Sequence, residues 1–343
     1  MATPVGIDTV TAAEAAPESP RRRRRGRKGA GTGGSGATGR ALPSHRKQSF
    51  GLFLSILPLL VMVFLFSYLP LYGWIYSLFD YRPARGLAGS EFVGLQWFEM
   101  LVGSPTQVQQ IVQVMLNTLA MSFLGIAASV LPLAFAVFLN EIRATWFKNL
   151  VQTLTTLPNF ISWVLVYMIA FSMFSTTGMV NGLLENLGLI TEPLKFLDSD
   201  DHVWLKMAAW GIWKTVGWGA ILYLAAIAGI DQSLYESARV DGAGRFQTMW
   251  HITVPQLMPT FFVLLMLAIA NILNNGMEQY YVFQNAFNRD TIQVLDLYVY
   301  NIGMTGNNLS LATAIGMLKS LISVALLLSV NALSKRVRGT SLI

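Results

Sequence analysis

The sequence predicts an all-α polytopic membrane protein with six transmembrane helices, on three observations. Hydrophobic residues make up 53% of the 343-residue chain and charged residues only 12%, about half the charge of an ordinary soluble domain. Six apolar runs reach the length of about twenty residues that a helix needs to cross a bilayer. Lysine and arginine fall unequally on the two sides of those runs, which also sets an orientation.

Taken in order, residues 1–48 are low in complexity and run through TAAEAAPESP, RRRRRGRKG and AGTGGSGATG without an apolar stripe. Such a segment buries too little surface to offset its ordering entropy, so it is expected as a disordered basic cytoplasmic tail. Its arginines suit anionic lipid head groups, at roughly 1 kcal/mol per charge near the surface. The runs follow at 50–79, 115–139, 151–174, 204–229, 258–276 and 311–333. They organise the chain into a first transmembrane helix at 49–80 and an extracytoplasmic loop at 81–110. A core of five further helices at 111–335 and a cytoplasmic C-terminal tail at 336–343 complete it. Pro58, Pro70 and Pro132 lie inside runs, where neighbouring helices can satisfy the carbonyls they free.

Ten Lys and Arg precede residue 50, and the same side receives Arg143, Lys148, Arg239, Arg245, Lys335, Arg336 and Arg338. The other side receives Arg82, Arg85, Lys195 and Arg289. The positive-inside rule therefore places both termini and the loop 231–257 in the cytoplasm.

That loop is the most informative segment. Asp231 and Ser233 are helix N-cap types, and Glu236 follows Ser233 at capping-box spacing. Asp241-Gly242 and Gly244 break the helix. A second helix is expected from Arg245, with Phe246, Met249, Trp250 and Ile252 available for burial and Pro255 ending it. Phe, Met and Trp on a water-side loop suit either a partner's groove or the underside of the same chain.

Glu236, Ala238 and Gly242, then nine residues to Ile252 and Val254-Pro255, resemble the EAA loop of ABC-transporter permeases: E-A-A, three residues, G, nine residues, I-x-L-P. Ser237 stands for the second Ala and Val254 for Leu. WKTVGWGAILYLAAIAGIDQSLYESARVDGA, NNGMEQYYVFQNAF, FSYLPLYGW and FVGLQWF resemble the carbohydrate-uptake group of that family, and the resemblance covers roughly residues 50 to 338. It implies a type I ABC importer permease fold, and docking of the loop to a cytoplasmic ATPase dimer through Glu236, Ser237, Ala238, Arg239, Asp241, Gly242, Ala243 and Gly244. It also implies a second permease subunit, a different chain in most of the family, an extracytoplasmic solute-binding protein, and an oligosaccharide or polysaccharide fragment as solute. ATP hydrolysis would belong to the partner, so this chain is not expected to be an enzyme.

Polar residues inside apolar runs are costly and default to functional hypotheses. Lys214 and Lys319 start near mid-depth, as lining of a solute path, as ion-pair partners or as interhelical donors. Asn271, Asn274, Asn275, Glu278, Gln279, Tyr280 and Tyr281 cluster at the outer half of the fifth run. Asn271, Asn274 and Glu278 there have helical spacing, so they are expected on one face. Trp210, Trp213 and Trp218 offer stacking platforms to a sugar, and ordinary helix packing is the competing reading.

Other chemistry is excluded or weak. There is no cysteine, so no disulfide and no Cys-based metal or redox site. His45, His202 and His251 are scattered without metal-ligand spacing, and no cofactor is expected. Gly34–Ala41 imitates a phosphate loop but has Arg40 for Lys and Ala41 for Ser/Thr. Two rival classes remain, an ion-coupled secondary transporter and a nucleic-acid or lipid-surface binder built on the arginine tail. Nearly every Asp and Glu lies in a loop, against the first, and no nucleic-acid partner is expected.

Overall fold

The computed structural model describes residues 45–338. The phosphate-loop imitation and residues 1–44 of the expected tail lie outside the described residues, while residues 45–48, expected to be disordered, are helical. The chain divides after Leu60 into two units. Among the described residues, the first unit consists of the beginning of α1 (His45–Val63).

The second unit opens with a π-helical turn at Phe64–Tyr68 and a 3-10 segment at Leu69–Leu78. A short hairpin, β1 (Phe79–Asp80) with β2 (Glu91–Phe92), pairs Phe79 with Phe92. Ser310 fastens this hairpin to the last helix, accepting from Tyr81 N at 2.9 Å and donating to Phe79 O at 2.7 Å. After α2 (Gln96–Gly103) come α3 (Pro105–Ala127) and α4 (Val130–Asn140), together the second crossing. At 36 residues it exceeds what a bilayer needs, and its glutamine-rich start at Gln107, Gln109, Gln110 and Gln113 extends beyond the apolar layer.

The run predicted at 151–174 is not one continuous helix, and the third span long and apolar enough to cross falls at Trp163–Asn186, after the break. α5 (Thr145–Thr156) leads to a 3-10 turn at Leu157–Phe160 containing Pro158, and α6 (Trp163–Phe174) resumes after Ser162. Ser162 caps α6 by accepting from Leu165 N at 3.4 Å. α7 (Met179–Asn186) follows. α8 (Val203–Ala228) is the spine of the bundle. Its buried residues, Val203, Met207, Lys214, Gly217, Ala220, Tyr223 and Ile227, recur at steps of three, four or seven positions and so form one stripe. The first two join a cluster with Val166, Phe283 and Leu297, and the last three a second cluster with Leu133, Val137 and Leu257. Gly217 lies so close to α5 that an added Cβ would fall 2.2 Å from Thr155 O. Small residues of this kind let helices approach in lipid, where apolar burial supplies no drive between them.

Next come α9 (Gln232–Val240) and α10 (Arg245–Thr248). A π-helical turn at Met249–Thr253 carries α10 directly into α11 (Val254–Ala270), so Pro255 begins a helix instead of ending one. Proline lacks the N–H that a helix start leaves unused anyway. The fifth crossing therefore spans Arg245–Ala270 and stops short of the expected residue 276. α12 (Glu278–Phe283), α13 (Arg289–Ile292) and α14 (Leu295–Tyr300) fold over the end of α3, and α15 (Leu309–Arg338) makes the last crossing. Among the described residues, six helices are long and apolar enough to cross a membrane, as composition predicts.

Candidate functional site

The loop between α8 and α11 is built from its caps outward. Asp231 Oδ1 accepts from Ser233 N at 2.9 Å, which satisfies an orphan donor of α9 and holds the Asp231 carboxyl below the usual carboxylate range. The cap is thus Asp231. Ser233 lies inside the helix, and the box expected between Ser233 and Glu236 does not form. At the other end Ala243 N donates to Ala238 O at 2.9 Å and Gly242 N to Arg239 O at 3.1 Å, with Gly242 at φ +78°. These two bonds and the left-handed residue make a Schellman stop. Gly244 N then donates to Gln247 Oε1 at 2.9 Å, opening α10.

Glu236, Ser237, Arg239, Asp241, Gly242 and Gly244 are exposed, Ala238 and Ala243 half-buried. Ala238, Asp241, Gly242, Ala243, Gln247 and His251 line a surface hollow of about 350 Å³. Beside it Val240, Phe246 and Trp250 are 87%, 78% and 66% exposed; of the four residues offered for burial, Met249 is taken into the core and Ile252 is half-buried. Two contacts fix the loop beneath the bundle. Tyr235 Oη lies 3.1 Å from Thr253 Oγ1, and Arg245 donates to both the carboxylate and the main-chain oxygen of Glu141. The pairing of Glu141 with Arg245 escaped sequence reasoning because 104 residues separate them.

A second site lies at mid-depth. Lys214 is buried and donates to the carbonyls of Pro158, Asn159 and Ile161 at 3.0, 2.9 and 2.6 Å, with the Trp163 ring 5.4 Å away. The 3-10 turn before α6 frees the carbonyls of Asn159 and Ile161, Pro158 O also accepting from Ile161 N at 3.2 Å, and no water in the hydrocarbon layer could satisfy them. Lys319 pairs with Asp296, whose other oxygen accepts from Gly276 N at 2.9 Å. The fifth-run cluster is dispersed, because helix α11 ends at Ala270. Asn271, Asn274 and Glu278 do not share a helical face: the two asparagines sit in a turn and Glu278 starts α12. Tyr281 stacks edge-on with Tyr300 at 5.5 Å.

Asn275, Gln279 and Tyr280 line a cavity of about 340 Å³ with Ser129, Trp163 and Thr215. Asn275 is held by Ser122 Oγ at 2.9 Å, Gln279 by Met207 O at 2.7 Å. Ser129 Oγ is buried there with no partner among the described residues. Trp210 and Trp213 lie elsewhere, in an aromatic cluster with Phe174 and Phe196 around a hollow of about 500 Å³. Trp218 packs on Phe160 at 5.6 Å. Sequence reasoning gave no role to Asn117, which is wholly buried and donates to Asp290 O and Gln293 O at 2.8 and 3.1 Å. An asparagine inside an apolar run was itself the signal.

Comparison with known proteins adds four likenesses. The profile of the family described as binding-protein-dependent transport system inner membrane component matches residues 121–339. Protein LplB of Bacillus subtilis (strain 168) is 38% identical over 292 residues, covering 84% of this chain and 90% of LplB. The polygalacturonan/rhamnogalacturonan transport system permease protein YteP of the same organism is 38% identical over 287 residues, covering 83% and 88%. The crystal structure of a bacterial alginate ABC transporter in complex with alginate pentasaccharide-bound periplasmic protein contains a chain that superposes with a TM-score of 0.75. Identity is 31%, over 86% of this chain and 97% of that one.

Proposed function

The chain belongs to the family of binding-protein-dependent transport system inner membrane components, and from that premise we propose how it works and what it carries. It is a multi-pass membrane permease of the ABC importer class, and the ion-coupled alternative falls with the family assignment. Its cargo is a carbohydrate, an oligosaccharide or a fragment of a polysaccharide. Supporting this are the cargoes named for YteP and for the alginate transporter, and the amide, hydroxyl and aromatic lining of the cavity at Asn275, Gln279, Tyr280 and Trp163. Sugars present hydroxyl groups and apolar C–H faces that such a lining matches.

The solute path runs past Asn275, Gln279 and Tyr280; Asn271, Asn274, Glu278 and Tyr281 are outside that lining, Trp210 and Trp213 line a separate aromatic hollow, and Lys214 and Lys319 hold the walls. A second permease completes the path, and an extracytoplasmic binding protein delivers solute to it. The chain hydrolyses no ATP. Two cytoplasmic ATPase subunits dock on the loops at Glu236–Gly244, and their approach on binding ATP swings each loop and turns the cavity from inward- to outward-facing.

The observation that carries the reading is the Schellman stop at Gly242, which sets the motif residues beside exposed Phe246 and Trp250. Those side chains are a docking surface in waiting. The test is reconstitution of the chain with its permease, ATPase and binding-protein partners in vesicles. Uptake of labelled oligosaccharide should require ATP and should stop when the ATPase subunits are omitted. Uptake driven by an ion gradient without ATPase would overturn the reading.

A further inference from the structure

Between the ends of α4 and α8, the start of α5 and the inner side of α9 lies a cavity of about 930 Å³. Arg143, Lys148, Arg239 and Arg245 line it together with a single carboxylate, Glu141. Arg245 already engages that carboxylate at 3.1 Å. Among the described residues no acidic side chain pairs with Arg143, Lys148 or Arg239. Three uncompensated cations around one concavity repel each other and select an anion.

Depth identifies the anion. Asn140 and Ala228, both in the lining, terminate two membrane crossings, so the cavity sits where hydrocarbon gives way to head groups. α5 passes the same level. It turns Lys148 and Gln152 to the cavity, while Trp146, Leu150 and Leu154 remain exposed on its other side. An exposed tryptophan beside leucines is how a helix marks the interface. The exposed aromatics of the loop, Phe246 and Trp250, are not in the lining, whereas Arg239, Ala243 and Gly244 are, so the cavity adjoins the docking stretch of the loop and leaves its two exposed rings outside.

We propose that this cavity binds the phosphate of an anionic phospholipid from the cytoplasmic leaflet. The lipid then bridges the bundle, through Arg143 and Lys148, to the coupling loop, through Arg239 and Arg245. Only the leaflet rests on the proposed sidedness of the loop.

The test uses the complete transporter in nanodiscs of phosphatidylcholine with or without phosphatidylglycerol, comparing wild type with the double variant R143Q/K148Q. Retained phosphatidylglycerol is counted by native mass spectrometry, and ATP hydrolysis is followed in parallel. Wild type should retain phosphatidylglycerol and change its hydrolysis rate with it. R143Q/K148Q should bind it roughly thirtyfold more weakly, as expected for two lost surface charges. The double variant should lose the lipid dependence and keep its rate in phosphatidylcholine and its ATPase subunits. R143K/K148R should behave as wild type. Equal retention by wild type and R143Q/K148Q overturns the proposal. So does displacement by millimolar inorganic phosphate, which would make this a soluble-anion site. Loss of the ATPase subunits from R143Q/K148Q with lipid retention unchanged gives the cavity to the ATPase instead. A wild-type complex that retains the lipid but carries no ATPase would sink the coupling role and leave the lipid site standing.

Discussion

Gly242 isolates the contribution of one backbone angle. Its φ is +78° and a Cβ placed there meets nothing within 4 Å, so a substitution is opposed by conformation alone, at about 1–2 kcal/mol. Gly242→Ala should leave the amount of chain in the membrane unchanged and lower transport-linked ATP hydrolysis about tenfold. Gly242→Asn, which tolerates the left-handed region, should fall between. Measuring hydrolysis and uptake side by side checks both. Lys214 poses the opposite problem, a charge whose position in the span was legible but whose partners were not. The carbonyls it serves begin 56 residues earlier, and no local pattern announces such a contact. Lys214→Met would leave the carbonyls of Asn159 and Ile161 without this donor, while Pro158 O keeps Ile161 N, at roughly 1–3 kcal/mol for each group left unsatisfied. The melting temperature of the detergent-solubilised chain should drop while the KM for solute stays constant. A shifted KM with unchanged melting would return Lys214 to the solute path.

Individual elements show where hydropathy reads well and where it fails. The six runs were legible because each is a local average, and the loop because its spacing is fixed over twenty positions. The break at Leu157–Phe160 was not legible from the average, since Leu, Pro and Phe keep the window apolar; Pro158 was the sign passed over. The fifth crossing was misplaced at both ends for one reason. A π-helical turn absorbs Pro255 at the start, and Asn271 stops the helix at the finish. The asparagines and Glu278 then looked helical only because their spacing was counted through a turn. What the loop element retains is a stop, a hollow and two exposed rings. Phe246→Ala combined with Trp250→Ala removes both rings and touches neither Gly242 nor the Tyr235–Thr253 contact. If the rings are anchors worth about 2 kcal/mol each, the double substitution should weaken ATPase retention by several hundredfold or more, read by co-purification. Undiminished retention would assign the docking energy to α9 alone.

At the scale of the whole molecule, sidedness decides whether any of these parts can act together. Seventeen Lys and Arg fall on the side of the loop and four on the other, a bias that the positive-inside rule turns into an orientation. The walls of the path were harder to read than the loop, because a cavity near Asn275 is assembled from four distant elements and is completed by another chain. Sidedness needs no partner to be measured. The natural sequence has no cysteine, so any single introduced thiol reports alone. Gln232→Cys places one on exposed α9, and Glu192→Cys places one in the exposed connection between α7 and α8. A membrane-impermeant maleimide added to intact cells should label Glu192→Cys and spare Gln232→Cys, and inside-out vesicles should reverse the pattern. An ATPase that hydrolyses cytoplasmic ATP can reach only a loop on the cytoplasmic side. Labelling of Gln232→Cys from outside would therefore remove the coupling mechanism and the path direction and move the lipid site to the other leaflet, whereas the expected pattern leaves all three standing on independent measurements.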